Sequence, residues 1–368
     1  MKINITSLVI IAFFLSGCNS VQPEVTSTFT PVSTKIIQPI ETPTLLSTST
    51  TLPTSAKIEI TAISQGNQII IKGIHTTVRW LFWSKDSKRL FIGTQFNGVL
   101  IYDMVNNKMS AHFESDSIIM GLALSPDESV FAVATDAESI RLIDSETGEL
   151  IRTLHISYYW PSTLNFSPDG KILASYNDRY KETILWDVAT GEEIKRLENS
   201  GGLQFFSLDG KSFTTSSPSP DGAFRVWNTN TWKIQEAIRC KILGVSSFSP
   251  DKNRFTRVDT ETKEVSIWDF KSCEKLFNLN GSQIEPFSIA YDVNNELIAA
   301  GNYSGGQKIS NVVTIWDANT GKHLSDLITG YYGMSIFPTA FNVDGSKLVT
   351  AAQDEGGGIV IIWDLTQQ

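Results

Sequence analysis

Short apolar stretches separated by polar turns recur from about residue 57 to the end of the chain. One such unit has apolar stretches at residues 162–166, 171–175, 183–187 and 193–197. Each stretch is bounded by turn residues and contains the β-branched and aromatic residues that favour strands. The pattern therefore predicts an all-β fold built from many short antiparallel strands.

Two local patterns each occur seven times and alternate along the chain. The first is a tight turn of the Ser-Pro-Asp-Gly kind, at residues 84–87, 125–128, 167–170, 207–210, 249–252, 291–294 and 342–345. The second is a Trp-Asp-like pair, at Tyr102-Asp103, Ile143-Asp144, Trp186-Asp187, Trp227-Asn228, Trp268-Asp269, Trp316-Asp317 and Trp363-Asp364. The pairs lie 41 to 43 residues apart in the first five repeats and further apart in the last two. Because proline presets φ and both Asp and Gly accept tight geometry, each turn predicts a hairpin.

A repeat of this length, with its third strand ending in Trp-Asp, resembles the WD40 repeat. The resemblance covers residues 57–368 and implies a seven-bladed β-propeller with four antiparallel strands per blade. The structural repeat residues are then Trp186, Asp187, Trp227, Trp268, Asp269, Trp316, Asp317, Trp363 and Asp364. WD40 blades often carry a Gly-His pair before the first strand, and this chain has none. We therefore expect apolar packing and strand ladders to hold the blades together.

The ends of the repeat region predict how the ring closes. Only four residues follow Asp364, so the seventh blade lacks an outer strand of its own. The apolar segment 68–72 precedes the first blade and belongs to none. We predict that it pairs with residues 359–363 and completes blade 7, which leaves no gap in the ring.

In a WD40 propeller the strands of a blade are called a to d from the centre outwards. The d–a and b–c loops lie on the top face, and the a–b and c–d turns lie on the bottom face. Trp232 and Cys273 occupy a c–d turn position that is glycine in three other repeats, so we expect strained backbone there. Cys240 is expected at the top of blade 4. Cys273 is expected on the bottom face, so a strand length separates the two cysteines. A disulfide needs Cα atoms within about 7 Å, and the sequence therefore predicts none between Cys240 and Cys273.

The N-terminus has the features of a secretory signal. Lys2 gives it a positive charge, and the following apolar segment is too short to span about 30 Å of hydrocarbon as a helix. Residues 15–18 read Leu-Ser-Gly-Cys, which resembles the lipobox of bacterial lipoproteins. This resemblance implies cleavage before Cys18, lipid attachment to Cys18, and a folded domain outside the cytoplasm in the bacterial cell envelope. A secreted protein with an unmodified cysteine is the alternative.

A polar segment separates this signal from the repeats. More than half of residues 19–56 are Ser, Thr or Pro, and charged and aromatic residues are nearly absent. Such a segment buries too little apolar surface to offset its ordering entropy. The predicted organisation is a lipoprotein signal peptide at 1–17, a lipid-anchored disordered linker at 18–56 and a propeller at 57–368.

Composition excludes several classes of function. The chain has 39 acidic and 30 basic residues, a net charge of −9, and no basic run, which argues against nucleic-acid binding. Its four histidines and three cysteines are scattered without metal-site spacing. The sequence contains no G-x-S-x-G, no H-E-x-x-H and no phosphate-binding glycine loop. We therefore expect no catalytic site, no metal and no cofactor.

Aromatic and arginine side chains carry much of the binding energy at interfaces, and several fall on loops assigned to the top face. The predicted partner surface consists of His75, Arg79, Trp80, Tyr158, Tyr159, Trp160, Tyr331 and Tyr332. Alternatively, about half of these rings fill the core between blades. The sequence thus predicts a membrane-anchored scaffold that binds a protein or peptide on its top rim. A propeller enzyme, a sensor for a small ligand such as a glycan, and an accessory subunit in envelope protein assembly are the alternatives.

Overall fold

The computed structural model describes residues 61–368, except 138, 157–160, 219–222, 241–244, 260, 282–285, 303–309, 333–336, 355 and 368. This part of the chain forms 29 β-strands in seven antiparallel sheets, and a short 3-10 turn at Leu365–Gln367 follows the last strand. Residues 1–60 lie outside the described residues, and they include the predicted signal peptide, Cys18 and the predicted linker. The all-β, seven-bladed architecture is therefore confirmed.

Six blades consist of four strands that follow one another in the chain. Blades 1 and 2 contain β3(Val78–Trp83), β4(Arg89–Thr94), β5(Val99–Asp103), β6(Lys108–Phe113), β7(Ile119–Leu124), β8(Val130–Thr135), β9(Ser139–Asp144) and β10(Leu150–His155). Blades 3 and 4 contain β11(Pro161–Phe166), β12(Ile172–Asn177), β13(Glu182–Asp187), β14(Glu193–Leu197), β15(Gln204–Phe206), β16(Ser212–Ser216), β17(Ala223–Asn228) and β18(Ile234–Arg239). Blades 5 and 6 contain β19(Val245–Phe248), β20(Arg254–Val258), β21(Val265–Asp269), β22(Lys275–Leu279), β23(Pro286–Tyr291), β24(Leu297–Asn302), β25(Ser310–Asp317) and β26(His323–Tyr332). First strands of neighbouring blades contact each other, which places them at the centre of the ring.

Blade 7 closes the ring with strands from both ends of the repeat region. It contains β27(Phe337–Phe341), β28(Lys347–Asp354), β29(Gly357–Asp364), β2(Gln68–Ile74) and β1(Thr61–Gln65). Gln68 pairs with Trp363 and Ile71 with Val360, so the predicted closure is confirmed. Blade 7 also has a fifth, outermost strand, β1, which pairs with β2 and which the sequence did not predict.

Four of the five repeat tryptophans, Trp186, Trp227, Trp316 and Trp363, pack in buried clusters between neighbouring blades. Trp186 of blade 3 packs in a buried cluster with Ile140 and Leu142 of blade 2. Trp316 of blade 6 packs in the same way with Ile267 of blade 5. Four of the five indole N–H groups have an oxygen partner without the Gly-His network, whereas Trp363 Nε1 is buried with none among the described residues. Trp186 Nε1 donates to Ser175 Oγ at 2.8 Å, in strand b of its own blade.

Five of the seven a–b turns are fastened by a serine and an aspartate. Ser125 Oγ donates to Asp127 Oδ1 at 2.6 Å, and the amide of Val130 donates to the same hydroxyl at 2.9 Å. Equivalent Ser–Asp contacts occur at Ser84–Asp86, Ser167–Asp169, Ser207–Asp209 and Ser249–Asp251. The turn chemistry read from the sequence therefore sets the register of the hairpins.

The turn of blade 6 begins one residue later than the sequence analysis placed it. Residues 291–294 were assigned as the turn, but Asp292 occupies the serine position and Asn295 the position with positive φ. The Asp292 carboxylate replaces the hydroxyl and accepts the amides of Glu296 and Leu297, each at 2.7 Å. Tyr291 is therefore the last residue of strand a.

The strain predicted at the c–d turns is present. Trp232 has φ 52° and Cys273 has φ 58°, and Asn107 adopts φ 49° in the equivalent turn of blade 1. A left-handed conformation costs a residue with a Cβ roughly 1–2 kcal/mol. The surrounding hairpin holds these residues there, since the amide of Trp232 donates to the carbonyl of Asn228 at 2.7 Å.

Cys240 and Cys273 form a disulfide, so the prediction that they would not is wrong. Cys240 directly follows β18, and Cys273 lies in the turn between β21 and β22, as the sequence indicated. Their Cα atoms are nevertheless only 5.2 Å apart. The prediction treated these positions as opposite ends of flat blades, whereas each blade is a twisted sheet.

The same approach of one blade to the next recurs at other seams of the ring. The amide of Asn280, just after the outer strand of blade 5, donates to the carbonyl of Gly321 in the c–d turn of blade 6 at 3.1 Å. Arg152 in the outer strand of blade 2 donates from Nη2 to the carbonyl of Ala189 in blade 3 at 2.8 Å. The disulfide thus occupies a standard contact between an outer strand and the following c–d turn.

Candidate functional site: the two faces of the propeller

The structure places part of the predicted top-face surface in solvent. His75 and Arg79 are exposed, in and just after the loop that leads into blade 1. Trp80 is half-buried and packs against the apolar cluster between blades 1 and 2, so it serves partly as core. Of the three predicted residues at blade 1, His75 and Arg79 are therefore the exposed ones.

The other predicted residues contribute less to the described top face. Tyr158, Tyr159 and Trp160 lie outside the described residues, and only the backbone of Tyr332 is described. Tyr331 is half-buried and packs against a buried cluster of blades 6 and 7. The ammonium of Lys72 lies 5.0 Å from the centre of the Tyr331 ring. The structure thus describes the side chains of four of the eight predicted residues: His75, Arg79, Trp80 and Tyr331.

A residue that the sequence analysis missed, Phe96, stands beside Arg79. Its side chain is 51% exposed at the tip of the b–c loop of blade 1. Arg79 Nη2 donates to Gln95 Oε1 at 3.3 Å, and the amide of Gln95 donates to the carbonyl of Thr77 at 3.0 Å. We call His75, Arg79, Gln95 and Phe96 the Phe96 surface.

The loop that carries Phe96 is held by its own hydrogen bonds. The amide of Asn97 donates to Thr94 Oγ1 at 3.0 Å, and Thr94 Oγ1 donates to the carbonyl of Gly98 at 2.9 Å. Gly98 has φ 87°, and a Cβ there would collide with the carbonyl oxygen of Phe113. An aromatic residue between such turn residues was the sequence signal that could have identified this position.

The bottom face carries a cavity that the sequence analysis did not anticipate. It has a volume of about 440 Å³ and lies among the a–b turns, where the first strands of blades 1, 2, 6 and 7 end. Its lining includes Phe82, Trp83, Tyr291, Phe341, Pro126 and Pro250. Trp83 Nε1 donates to the carbonyl of Ala340 at 3.2 Å, which fixes one wall. We call this cavity the bottom mouth.

The described residues offer little for metal or membrane chemistry. No group of three or more His, Cys, Asp or Glu side chains within them is arranged to hold a metal ion. Within the same residues, no helix has the length and apolarity needed to cross a membrane.

Comparison with known proteins finds WD-repeat proteins among the matches. Residues 112–167 match the family model of the anaphase-promoting complex subunit 4 WD40 domain. A WD repeat-containing protein WDS homolog of Arabidopsis thaliana is 32% identical over 208 residues, which are 52% of this chain and 38% of that protein. An uncharacterized WD repeat-containing protein of Synechocystis is 26% identical over 239 residues, 64% of this chain and 68% of that protein. The chain is thus similar to WD-repeat proteins over 52% to 64% of its length.

Solved structures agree on the fold. The β-propeller domain of Cps50 (Swd1) from Myceliophteria thermophila matches this propeller with a TM-score of 0.65 and 13% identity. The match covers 81% of this chain and 99% of that domain. At this identity the likeness concerns the fold. WD40 propellers are generally non-catalytic and typically serve as scaffolds that bind other proteins.

Proposed function

We propose that this protein is a lipid-anchored, extracytoplasmic scaffold that binds a partner protein through the Phe96 surface. The observation that carries the proposal is Phe96 itself, a half-exposed aromatic ring on a hydrogen-bonded loop beside Arg79. Aromatic and arginine side chains dominate binding energy, and a fixed loop loses little conformational entropy on association. Catalysis is not part of the proposal.

The anchor in this proposal is lipid attached to Cys18. Two acyl chains hold a protein stably at a membrane, whereas one holds it weakly. The chain reaches the propeller at Thr61, which pairs with Lys72 near the top of blade 7. A coil with the composition of residues 19–56 has a root-mean-square length of roughly 30–40 Å. The Phe96 surface lies on the same face of the propeller as Thr61.

The disulfide between Cys240 and Cys273 supports an extracytoplasmic location. Disulfides persist in oxidising compartments such as the bacterial periplasm and the cell surface, and they are rare in the cytoplasm. The bond therefore agrees with export directed by residues 1–17. Tyr158, Tyr159, Trp160, Tyr331 and Tyr332 would extend the binding surface around the top rim.

Truncation of the Phe96 surface tests partner binding. We expect Phe96→Ala and Arg79→Ala each to reduce recovery of a stoichiometric partner by about 30-fold, because a hot-spot side chain contributes about 2 kcal/mol or more. The measurement is quantitative cross-linking and co-purification of the full-length chain from native membranes. Leu208→Ala is the matched control, since Leu208 is 68% exposed on the opposite face. Unchanged recovery from both variants, or tight binding of a metabolite with no protein partner, contradicts the proposal.

The Cys18→Ala substitution tests whether lipid is attached to Cys18. We expect the wild-type chain to incorporate an alkyne-labelled fatty acid and Cys18→Ala to incorporate none, because thioether formation needs this sulfur. Mass spectrometry of the N-terminal peptide gives the site directly. Cys240→Ser serves as the control and should keep full labelling. Equal labelling of Cys18→Ala and wild type would rule out the lipid anchor.

A further inference from the structure

The loop that carries Phe96 ends in an asparagine followed by a glycine, Asn97-Gly98. Such a pair can react with itself, because a residue without a Cβ leaves its backbone nitrogen open to the preceding side chain. The chain has one other Asn-Gly pair, Asn280-Gly281. Asp-Gly pairs can react in the same way, and the described a–b turns contain three, at residues 169–170, 209–210 and 344–345. The hydrogen bonds around each pair decide whether its reacting groups are available.

The Asp-Gly pairs of the a–b turns are held by hydrogen bonds. In blade 3, Asp169 Oδ1 accepts the hydroxyl of Ser167 at 2.6 Å and the amide of Lys171 at 3.2 Å. The amide of Gly170 donates to the carbonyl of Ser167 at 2.8 Å. The glycine amide and the aspartate are also both bonded at Asp209-Gly210 and Asp344-Gly345. These turns therefore keep the carboxylate and the glycine nitrogen apart.

The reacting groups of Asn97-Gly98 are not held in this way. Among the described residues, neither the side-chain amide of Asn97 nor the backbone N–H of Gly98 has a hydrogen-bond partner. Asn97 is only half-buried, so water reaches its side chain. Gly98 itself is required by the fold, because a Cβ there would collide with the carbonyl oxygen of Phe113. The fold thus keeps a glycine after an asparagine whose side chain is free to turn toward it.

A histidine of the outer strand contacts the peptide bond between these two residues. His112 lies in β6, and its Nε2 is 2.5 Å from the carbonyl oxygen of Asn97. Because a carbonyl oxygen only accepts, Nε2–H is the donor. Donation to a peptide oxygen withdraws electron density from the peptide nitrogen, here that of Gly98, and makes its N–H more acidic. His112 is therefore a positioning residue that eases loss of the proton from the attacking nitrogen.

We propose that Asn97 is a site of spontaneous deamidation beside the Phe96 surface. The Gly98 nitrogen attacks Cγ of Asn97, so a Cγ–N bond forms and the bond from Cγ to Nδ2 breaks. Nδ2 leaves as ammonia and carries away the proton that the Gly98 nitrogen gives up, and a five-membered succinimide remains. One water molecule then opens either bond between a ring carbonyl carbon and the nitrogen, which gives aspartate or isoaspartate.

The reaction changes the charge and the backbone of the loop. A carboxylate replaces a neutral amide directly after Phe96, and isoaspartate also adds a carbon to the main chain between the residues bonded to Thr94. Since the ammonia is lost to solvent, the modified fraction rises with the age of the protein. Any effect on partner binding rests on the proposed function, whereas the reaction is measured on the chain alone.

Mass spectrometry of the full-length chain tests the proposal. The purified protein is incubated at mildly alkaline pH, and digestion in heavy-oxygen water marks any conversion that occurs during preparation. Electron-transfer dissociation distinguishes aspartate from isoaspartate. We expect residue 97 to convert at least as fast in the native chain as in the chain unfolded in guanidinium chloride. Over the same time, Asp169, Asp209 and Asp344 of the native chain should form no isoaspartate.

Substitutions separate the reaction from a general loss of structure. Asn97→Gln should show no conversion, because its larger ring closes far more slowly. His112→Phe should slow conversion at residue 97 about 3- to 10-fold, the effect of one ordinary hydrogen bond on a rate. His112→Gln keeps an N–H donor and should restore most of the rate. Asn280-Gly281 in the same digest is the internal reference, and its rate should not respond to changes at residue 112.

Three results would count against these assignments. Slower conversion of Asn97 in the native chain than in guanidinium chloride would overturn the proposal, because the loop would then protect the pair. Formation of isoaspartate at Asp169 as fast as at residue 97 would overturn it too, since the hydrogen bonds would not select the site. An unchanged rate in His112→Phe would overturn the role given to His112.

Discussion

Replacing Ile71 with aspartate is expected to keep the ring from closing and to abolish the cooperative unfolding transition. Ile71 is fully buried in β2, and it packs with Ile74, Val349 and Val360 in the cluster between blades 7 and 1. Loss of the apolar side chain alone costs about 2–5 kcal/mol, and burial of an unpaired carboxylate costs several more. The sum is comparable to the whole stability of a typical domain, about 5–15 kcal/mol. Thermal melts by circular dichroism and limited proteolysis measure the effect.

An isoleucine on the surface of an ordinary blade provides the control for this prediction. Ile234 lies in β18 and is 50% exposed, so Ile234→Asp should change the unfolding free energy by only about 0.5 kcal/mol. Ile71→Ala should give an intermediate loss of about 2–5 kcal/mol in urea unfolding. If Ile71→Asp melts at the wild-type temperature, β2 does not lock the ring.

The closure at Ile71 could be predicted because the information for each blade is local. The Ser-Asp turns, the short apolar strands and the Trp-Asp pairs specify hairpins within about 40 residues of chain. When four strands are assigned to each repeat, the last repeat lacks its outer strand, and one predicted strand before Val78 belongs to no repeat. Pairing those two ends is then the way to remove an open edge.

The extra strand β1 could not be predicted in the same way. It covers the outer edge of β2, with Thr61 opposite Lys72 and Gln65 opposite Gln68 around a turn that contains Gly66 at φ 59°. The closed ring is already complete without it. No count of repeats therefore required this strand.

Side-chain substitutions inside a turn also limited the prediction. In blade 6 the serine position is filled by Asp292, whose carboxylate accepts the same amides that a serine hydroxyl accepts elsewhere. The residue before it, Tyr291, was assigned to the turn from the repeat pattern but belongs to the lining of the bottom mouth. The repeat pattern was matched by residue type, whereas the turn needs only an acceptor oxygen at this position, which either serine or aspartate can supply.

The candidate sites depended on contacts between blades, which the repeat pattern does not specify. The assignment of top and bottom loops placed His75 and Arg79 correctly in solvent. Phe96 was missed because the predicted surface residues all lie at d–a loops, whereas Phe96 lies on the b–c loop between β4 and β5. The bottom mouth was missed because its walls come from five blades.

Removal of the disulfide is expected to lower the unfolding free energy by about 3–4 kcal/mol. The cross-link joins residues 33 positions apart, and chain-entropy arguments give this magnitude for a loop of that length. It also fastens the seam between blades 4 and 5, where five phenylalanines pack together: Phe205, Phe224, Phe248, Phe255 and Phe270. For a domain of about 300 residues the melting temperature should fall by about 5 °C. Differential scanning calorimetry with and without dithiothreitol measures the loss.

The double variant Cys240→Ser/Cys273→Ser distinguishes the cross-link from other effects of the reductant. It should melt at the temperature of the reduced wild type and should not respond to dithiothreitol, because it has no bond between these positions to break. Non-reducing peptide mapping of the wild type should yield one linked pair that contains Cys240 and Cys273. Two free thiols in the native protein, or a wild-type melting temperature that dithiothreitol leaves unchanged, would show that packing alone holds this seam.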